Sequence, residues 1–240
     1  MAATGRRFSW PVFLDFFIPI LILAIITMIF RVTDWDLKIA GYFFDPKLNP
    51  AFKETAYPWY IFYKVGAAPA IISVSVAGFI LVIGFFNRVL KSYRLRSLFV
   101  ILLMIISPGI IINSIFKENW GRPRPRECVE FHGESQFKKV WTPNFNNHDG
   151  GKSFPSGHAS MGFFMFFPFF IYRAYRKNKK AILWLLIGLV YGGLMSYARI
   201  SQGGHFASDC LWVGGFDYLT AAVLYYVLRL RKEALGVVKN

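Results

Sequence analysis

The sequence predicts an all-α polytopic membrane protein, a bundle of six transmembrane helices with an interfacial helix after the first span. Three observations predict it. Hydrophobic residues make up 55% of the 240 positions and aromatics 19%, with 26 Phe, while charged residues are only 17% against about a quarter in soluble domains. Six apolar runs approach the roughly 20 residues that a helix needs to cross a bilayer. The basic residues crowd into alternate segments between those runs, as the positive-inside rule places them. Too few polar residues remain to clothe a soluble domain, and the same figures exclude disorder, coiled coil and collagen. The net charge of +15 does not signal nucleic-acid binding, which would set the cations among aromatics on a polar surface.

The first run, 12–30, follows Arg6 and Arg7 as a signal-peptide core would. It reads as a span instead, because it is too long for such a core and no small-residue cleavage pattern follows Ile25 to Phe30. From Trp35 to Phe44, Asp34, Asp36 and Lys38 alternate with Trp35, Ile39 and Phe43 at helical spacing. A helix lying on the outer leaflet fits this pattern, and so does an ordered loop with membrane-facing aromatics. The remaining runs lie at 61–86, 98–116, 158–172, 181–197 and 207–228, and the short fourth borrows residues from both flanks. No repeat, linker or low-complexity tract divides the chain, so 1–240 is expected to form one domain.

The joining segments set the orientation. The N-terminal tail, the segment after the second run, the segment after the fourth and the C-terminal tail together hold fifteen basic residues against one acid, Glu233. The other loops are mixed; Arg31 to Glu54 carries four basic and four acidic residues. An even number of crossings puts both termini on one side, and the basic excess makes that side the cytoplasm.

Three polar clusters then fall on the outer side. Lys117 to Pro125 closes the third run, Pro155-Ser156-Gly157-His158 opens the fourth, and Arg199, Gly203-Gly204-His205 and Asp209 lead into the sixth. Any one of these cations taken alone reads as a side chain snorkelling to the headgroups. Together, Lys117, Arg124 and Arg199 converge where topology gives them no reason to be, and three cations call for a multivalent anion such as phosphate. Pro155-Ser156-Gly157 reads as a helix start, with serine as the cap and glycine allowing close approach, where free backbone N–H groups donate to phosphate oxygens. His205 and Asp209, four apart at a helix start, share a face, so the carboxylate is expected to hold the imidazole, and His158 supplies a second imidazole as acid. No Asp/Glu/His cluster has metal-ligand spacing, so neither metal nor cofactor is expected.

Lys117 with six residues to Arg124-Pro125, then Pro155-Ser156-Gly157-His158, then Arg199 with five residues to His205 and three to Asp209, resembles the signature of the type 2 phosphatidic acid phosphatase (PAP2) family at ten ordered positions. The motifs lie within 117–125, 155–158 and 198–209. One position departs: Ala198 stands where the family usually has serine, which puts one phosphate contact in doubt. The resemblance implies a six-helix fold and metal-free, two-step phosphoryl transfer. His205 would attack phosphorus, Asp209 hold its ring, and His158 protonate the leaving oxygen, with Lys117, Arg124, Ser156, Gly157 and Arg199 binding the phosphate.

The substrate implied is a phosphorylated outer-leaflet lipid, in a bacterial inner membrane, with both termini cytoplasmic and the site facing the periplasm. No nucleic acid and no obligate protein partner are expected. The long loop Arg126 to Phe154 together with Gly204 to Asp209 is most similar to bacterial lipid A phosphatases, the 1-phosphatase type in particular. Undecaprenyl pyrophosphate and phosphatidylglycerophosphate phosphatases share the core, a lipid phosphotransferase would use the same intermediate, and an anion transporter or channel is the non-enzymatic alternative. Lys138 and Lys139 fit a headgroup-facing loop and substrate recognition equally. Asp15, Lys64 and Asp217 are ionisable groups in apolar runs, Asp15 and Lys64 near enough to the ends to snorkel, Asp217 needing a partner. Cys128 and Cys210 both fall near the outer face, where a disulfide is open.

Overall fold

The computed structural model describes residues 12–48, 51–53, 57–143 and 151–231. Arg6 and Arg7, Glu54, Asp149, Lys232, Glu233 and Lys239, with both termini, lie outside the described residues. All regular structure among the described residues is helical. Five stretches are long and apolar enough to cross a membrane: Val12–Val32, Trp59–Ile83, Arg94–Asn119, Asn178–Ser201 and Ala207–Val227.

The first, α1 (Val12–Val32), sits at the periphery and turns Phe13, Phe17, Ile20 and Leu21 outward. In water such a face would be a large exposed apolar patch; against acyl chains it needs no cover. A short α2 (Trp35–Gly41) follows α1. The second span is α3 (Trp59–Val65) continued by α4 (Ala68–Ile83). Asn87 caps the single-turn α5 (Arg88–Lys91), its side-chain oxygen accepting from the Val89 and Leu90 N–H groups.

The third span begins as α6 (Arg94–Met104) and widens into a π-helix over Ile105–Phe116 before α7 (Lys117–Asn119). Pro108 lies inside it, with no N–H to donate and a ring that crowds the preceding turn, and the wider register accommodates it. Asn113 and Ser114 reach back five residues, donating to the Pro108 carbonyl at 2.6 Å and the Gly109 carbonyl at 3.1 Å.

The expected fourth run is helical but broken. It comprises α8 (Gly157–Phe163), a 3₁₀ turn at Phe164–Phe166 and α9 (Phe167–Ala174), which Pro168 opens. It packs in the centre of the bundle against α10 (Asn178–Ser201). Small residues permit the approach: a Cβ on Gly162 would stand 2.8 Å from the Gly192 Cα. The last element, α11 (Ala207–Val227), runs beside α1 and α8.

The ionisable groups in the apolar runs find specific partners. Asp15, expected near enough to the end to snorkel, is buried instead, 2.7 Å from Arg173 and hydrogen-bonded to Tyr226. Asp217 accepts from Ser107 at 2.5 Å and Ser160 at 3.3 Å. Lys64 is exposed, with its ammonium 5.5 Å from the Tyr60 ring.

Aromatic packing closes the end of the bundle where α1 and the third span finish. Trp120, Trp141 and Trp212 meet edge to face at centroid separations of 4.8 and 4.6 Å, with Phe116, Phe154 and Phe216 around them. That packing pins the loop after the third span to the bundle. Its far end returns to its start, where the Ser153 N–H donates to the Arg122 carbonyl at 2.9 Å. Both cysteines are buried free thiols. Burial, with Glu130 nearby, pushes Cys128 up to about 12, which leaves it inert as a nucleophile.

Candidate active site

His205 occupies the short connection between α10 and α11, only 2% exposed. Its Nδ1 lies 2.5 Å from the Ser153 carbonyl oxygen. A carbonyl only accepts, so Nδ1 carries the proton and Nε2 keeps its lone pair. Burial, then the charge of Arg199, and further the charges of Lys117 and Arg124, hold this imidazole well below its ordinary range, against the opposing pull of the Ser153 carbonyl. The ring is neutral, as a nucleophile must be.

The expected cations surround it. Arg199, buried in the last turn of α10, packs against Gly204, sits 4.7 Å from the Tyr63 ring and donates to Gln202 Oε1 at 2.5 Å. A Cβ on Gly157 would meet Asn113 Oδ1 at 2.9 Å and Lys117 Nζ at 3.5 Å, so the lysine from the third span lies against the start of α8. Arg124 pairs loosely with Glu127 at 3.7 Å. The Nε atoms of Arg124 and Arg199 are both buried with no hydrogen-bond partner. A buried unpaired donor is costly, so two beside one imidazole mark a place built for an anion.

Ser156 is fully buried and caps α8, accepting from the Ala159 N–H at 3.4 Å. His158, one residue into the helix, lies with its ring 5.0 Å from Tyr63 at an interplanar angle of 31°. The ring of Tyr63 thus touches both His158 and Arg199. Lys117, Arg124, Gly157, His158, Arg199 and His205 are brought to one locus from the third span, the loop after it, α8, the end of α10 and the connection to α11.

Asp209 is placed differently from expectation. Its carboxylate accepts from the Ser153 hydroxyl at 2.6 Å, the Phe206 N–H at 2.8 Å and the Arg122 guanidinium. The ring contact expected of it is made by the Ser153 main chain. The reason is helical geometry: at the third position of α11 its side chain folds back to accept from the N–H of the N-cap residue Phe206.

Arg122 belongs to the first polar cluster of the sequence, where it has no role of its own; it lies between Lys117 and Arg124 but is no part of the cradle. It is completely buried, 2.7 Å from Asp36, and its Nε donates to the Lys138 carbonyl at 2.9 Å. Burial works against its charge, but Asp209 and Asp36 outweigh that and raise it above its ordinary value. Asp36, expected on the polar face of an outer-leaflet helix, therefore points into the protein. Lys139 is engaged by Asp34 at 3.4 Å and by the Arg31 carbonyl at 3.0 Å. Among the described residues no three of His, Cys, Asp and Glu cluster in a way that would hold a metal ion.

The arrangement can bind a phosphoryl group between cations and present a neutral imidazole to it. The family model of the PAP2 superfamily matches residues 94–233. A lipid A 4'-phosphatase of Francisella tularensis subsp. novicida (strain U112) is 32% identical over 202 residues, spanning 82% of this chain and 88% of that protein. A lipid A 4'-phosphatase of Rhizobium leguminosarum is 28% identical over 143 residues, 57% of this chain and 55% of that protein. No solved structure matches the chain.

Proposed function

The chain belongs to the PAP2 superfamily, and from that premise we propose that it removes the 4'-phosphate of lipid A at the outer face of a bacterial inner membrane. It is a phosphoric monoester hydrolase and acts on a lipid. The carrying observation for the substrate is the likeness to the Francisella protein along 82% of this chain. Both relatives bear the 4' name, and that moves our reading from the 1-phosphate to the 4' position.

In the proposed mechanism the phosphate settles among Lys117, Arg124 and Arg199, whose N–H groups donate to its oxygens, with Gly157 and the capped start of α8 alongside. The Nε2 lone pair of His205 attacks phosphorus while the bond to the sugar oxygen breaks. His158 gives that oxygen its proton, so the lipid leaves as an alcohol. Water then attacks the phosphohistidine, its proton passes to His158, and inorganic phosphate departs. Catalysis of this kind is chiefly positioning and electrostatic stabilisation, which the cation cluster supplies. The donor set favours a metal-independent reaction. The broken helix Gly157–Ala174 completes six spans in this reading, with α2 at the outer interface, one domain throughout, no obligate protein partner and both termini cytoplasmic.

The test is mass spectrometry of bis-phosphorylated lipid A after incubation with the purified protein in EDTA. The expected products are free phosphate and a lipid that keeps its 1-phosphate, with neither formed by His205→Ala. Loss of the 1-phosphate instead would return the position to the other end of the disaccharide. Label passed to a second lipid without free phosphate would make the protein a phosphotransferase.

A further inference from the structure

We infer that Asp36, on α2 and outside the 94–233 family segment, is a positioning residue for His205, acting through Arg122 and the first turn of α11. The inference rests on reading His205 as the nucleophile.

His205 immediately precedes Phe206, the N-cap of α11, so the ring can be no better placed than that helix start. The first N–H groups of a helix have no partner within it. Here two carboxylates from different parts of the chain take them. Asp209 Oδ2 accepts from Phe206 N. Asp36 Oδ1 accepts from Ser208 N at 3.0 Å, across 172 residues of sequence. The other oxygen of Asp36 accepts from Ser208 Oγ at 2.6 Å, and that hydroxyl in turn accepts from Arg122 Nη1 at 2.9 Å. Arg122 spans the two carboxylates, its Nη2 on Asp36 at 2.7 Å and its Nη1 on Asp209, while its Cζ lies 4.5 Å from the centroid of the Phe206 ring. Asp209 also holds the hydroxyl of Ser153, whose carbonyl orients the imidazole. Asp36, Arg122, Ser208 and Asp209 are each no more than 1% exposed.

The guanidinium fork matches two carboxylates in a way a lysine could not. With Asp36 neutralised, Arg122 keeps only Asp209 as counter-ion and is drawn toward it. The same change weakens the acceptor for Ser208 N–H at a helix start that favours negative charge. Both effects fall on the backbone that carries His205. The phosphate ligands Lys117 and Arg199 stand on other elements, so substrate binding is affected less than turnover. A displacement of about 1 Å in a reacting group costs about 10²-fold in rate.

The experiment compares kcat, KM and the single-turnover rate of phosphoenzyme formation for the full-length wild type, Asp36→Asn and His205→Ala. Asp15→Asn is the control, since Asp15 is likewise a buried carboxylate paired with an arginine, but on the Arg173 side of the bundle. The expected result is a kcat for Asp36→Asn lowered about 10²-fold, with KM within a few-fold of wild type and phosphoenzyme formation slowed by the same factor. Asp15→Asn should lower thermal stability comparably while keeping kcat near wild type. If Asp36→Asn fails to fold, Asp36→Glu, which keeps the charge and shifts its oxygens, carries the same comparison. A wild-type kcat in the Asp36 variant, or equal kcat losses in the Asp36 and Asp15 variants, overturns the inference. Phosphoenzyme formed by His205→Ala overturns the nucleophile assignment itself, which is a separate result.

Discussion

Ser153 holds His205 by its main-chain carbonyl, 2.5 Å from the ring Nδ1, and holds Asp209 by its hydroxyl at 2.6 Å. One residue therefore joins the proposed nucleophile to the carboxylate expected to orient it. The tautomer is set by a group that no side-chain substitution removes. Asp209 works one step behind, on the backbone and hydroxyl that frame the imidazole.

That division predicts graded losses. Ser153→Ala keeps the carbonyl and loses one hydrogen bond to a carboxylate, so kcat is expected to fall about 10-fold. Asp209→Asn disturbs Arg122, Phe206 N–H and Ser153 together and is expected to cost about 10²-fold or more. Both should act alike on a lipid and on an aryl phosphate, because neither touches the leaving group. Steady-state kinetics on the two substrates decide it. A Ser153→Ala loss as large as that of His205→Ala would mean that the hydroxyl itself contacts the reacting phosphate.

The neutral state of His205 carries a sign for stability against pH. Its folded pKa lies well below 6.5. As pH falls through 6.5 the unfolded chain takes up a proton on this ring and the folded protein does not. The stability is complete above that pH and declines below it. Thermal unfolding in detergent should therefore drop more steeply on acidification from 6.5 for wild type than for His205→Ala. Parallel curves would show that the folded ring titrates like a free imidazole.

Much of this was legible in the sequence, and the illegible parts share a cause. The apolar runs are local patterns, and the cations and histidines of the site are chemically unusual where they stand. Asp36 looked like one member of an amphipathic alternation, because its partner Arg122 is 86 positions away. Ser107 and Ser160 look unremarkable in apolar runs until Asp217 is seen to need them. The Ser153 carbonyl has no side-chain signature, and Tyr63 is one aromatic among many. Spacing alone turns Asp209 toward His205, whereas the capping geometry of α11 turns it to Phe206 and Arg122. Pattern reveals which residues are out of place; contacts between distant segments reveal why.

Gly157 tests the cradle. The Cβ of Gly157→Ala would press on Asn113 Oδ1 and reach Lys117 Nζ at 3.5 Å, where a phosphate oxygen is proposed to bind. The expectation is a KM raised about 10-fold, in line with a weakened charge-assisted contact, with folding retained because the neighbours are ends of polar side chains. An unchanged KM for substrate and for vanadate would place the phosphate elsewhere.

Orientation is open to direct labelling. Lys152 and Lys179 are both exposed, on opposite sides of the expected bundle, and the native thiols are buried. Cysteine at Lys152 should react with an impermeant reagent added to intact cells, and cysteine at Lys179 only after lysis. The reverse pattern would put the site at the cytoplasmic face and exclude an outer-leaflet lipid as its substrate.

His158 separates leaving-group chemistry from phosphate binding. If it only donates the proton, its replacement should be felt in proportion to how badly the departing oxygen needs one. A sugar alkoxide leaves poorly unprotonated, whereas p-nitrophenolate leaves largely unaided. General acid catalysis is worth about 10²–10⁴-fold, so His158→Ala should lose that much on lipid A and far less on p-nitrophenyl phosphate. Trapped phosphoenzyme should still form from the aryl substrate in His158→Ala and be absent in His205→Ala. The ring of Tyr63, 5.0 Å from His158, gives a control: Tyr63→Leu removes its aromatic neighbour without removing the acid and should shift the two substrates together. Equal losses on both substrates from His158→Ala would place this histidine among the phosphate ligands instead of at the leaving oxygen.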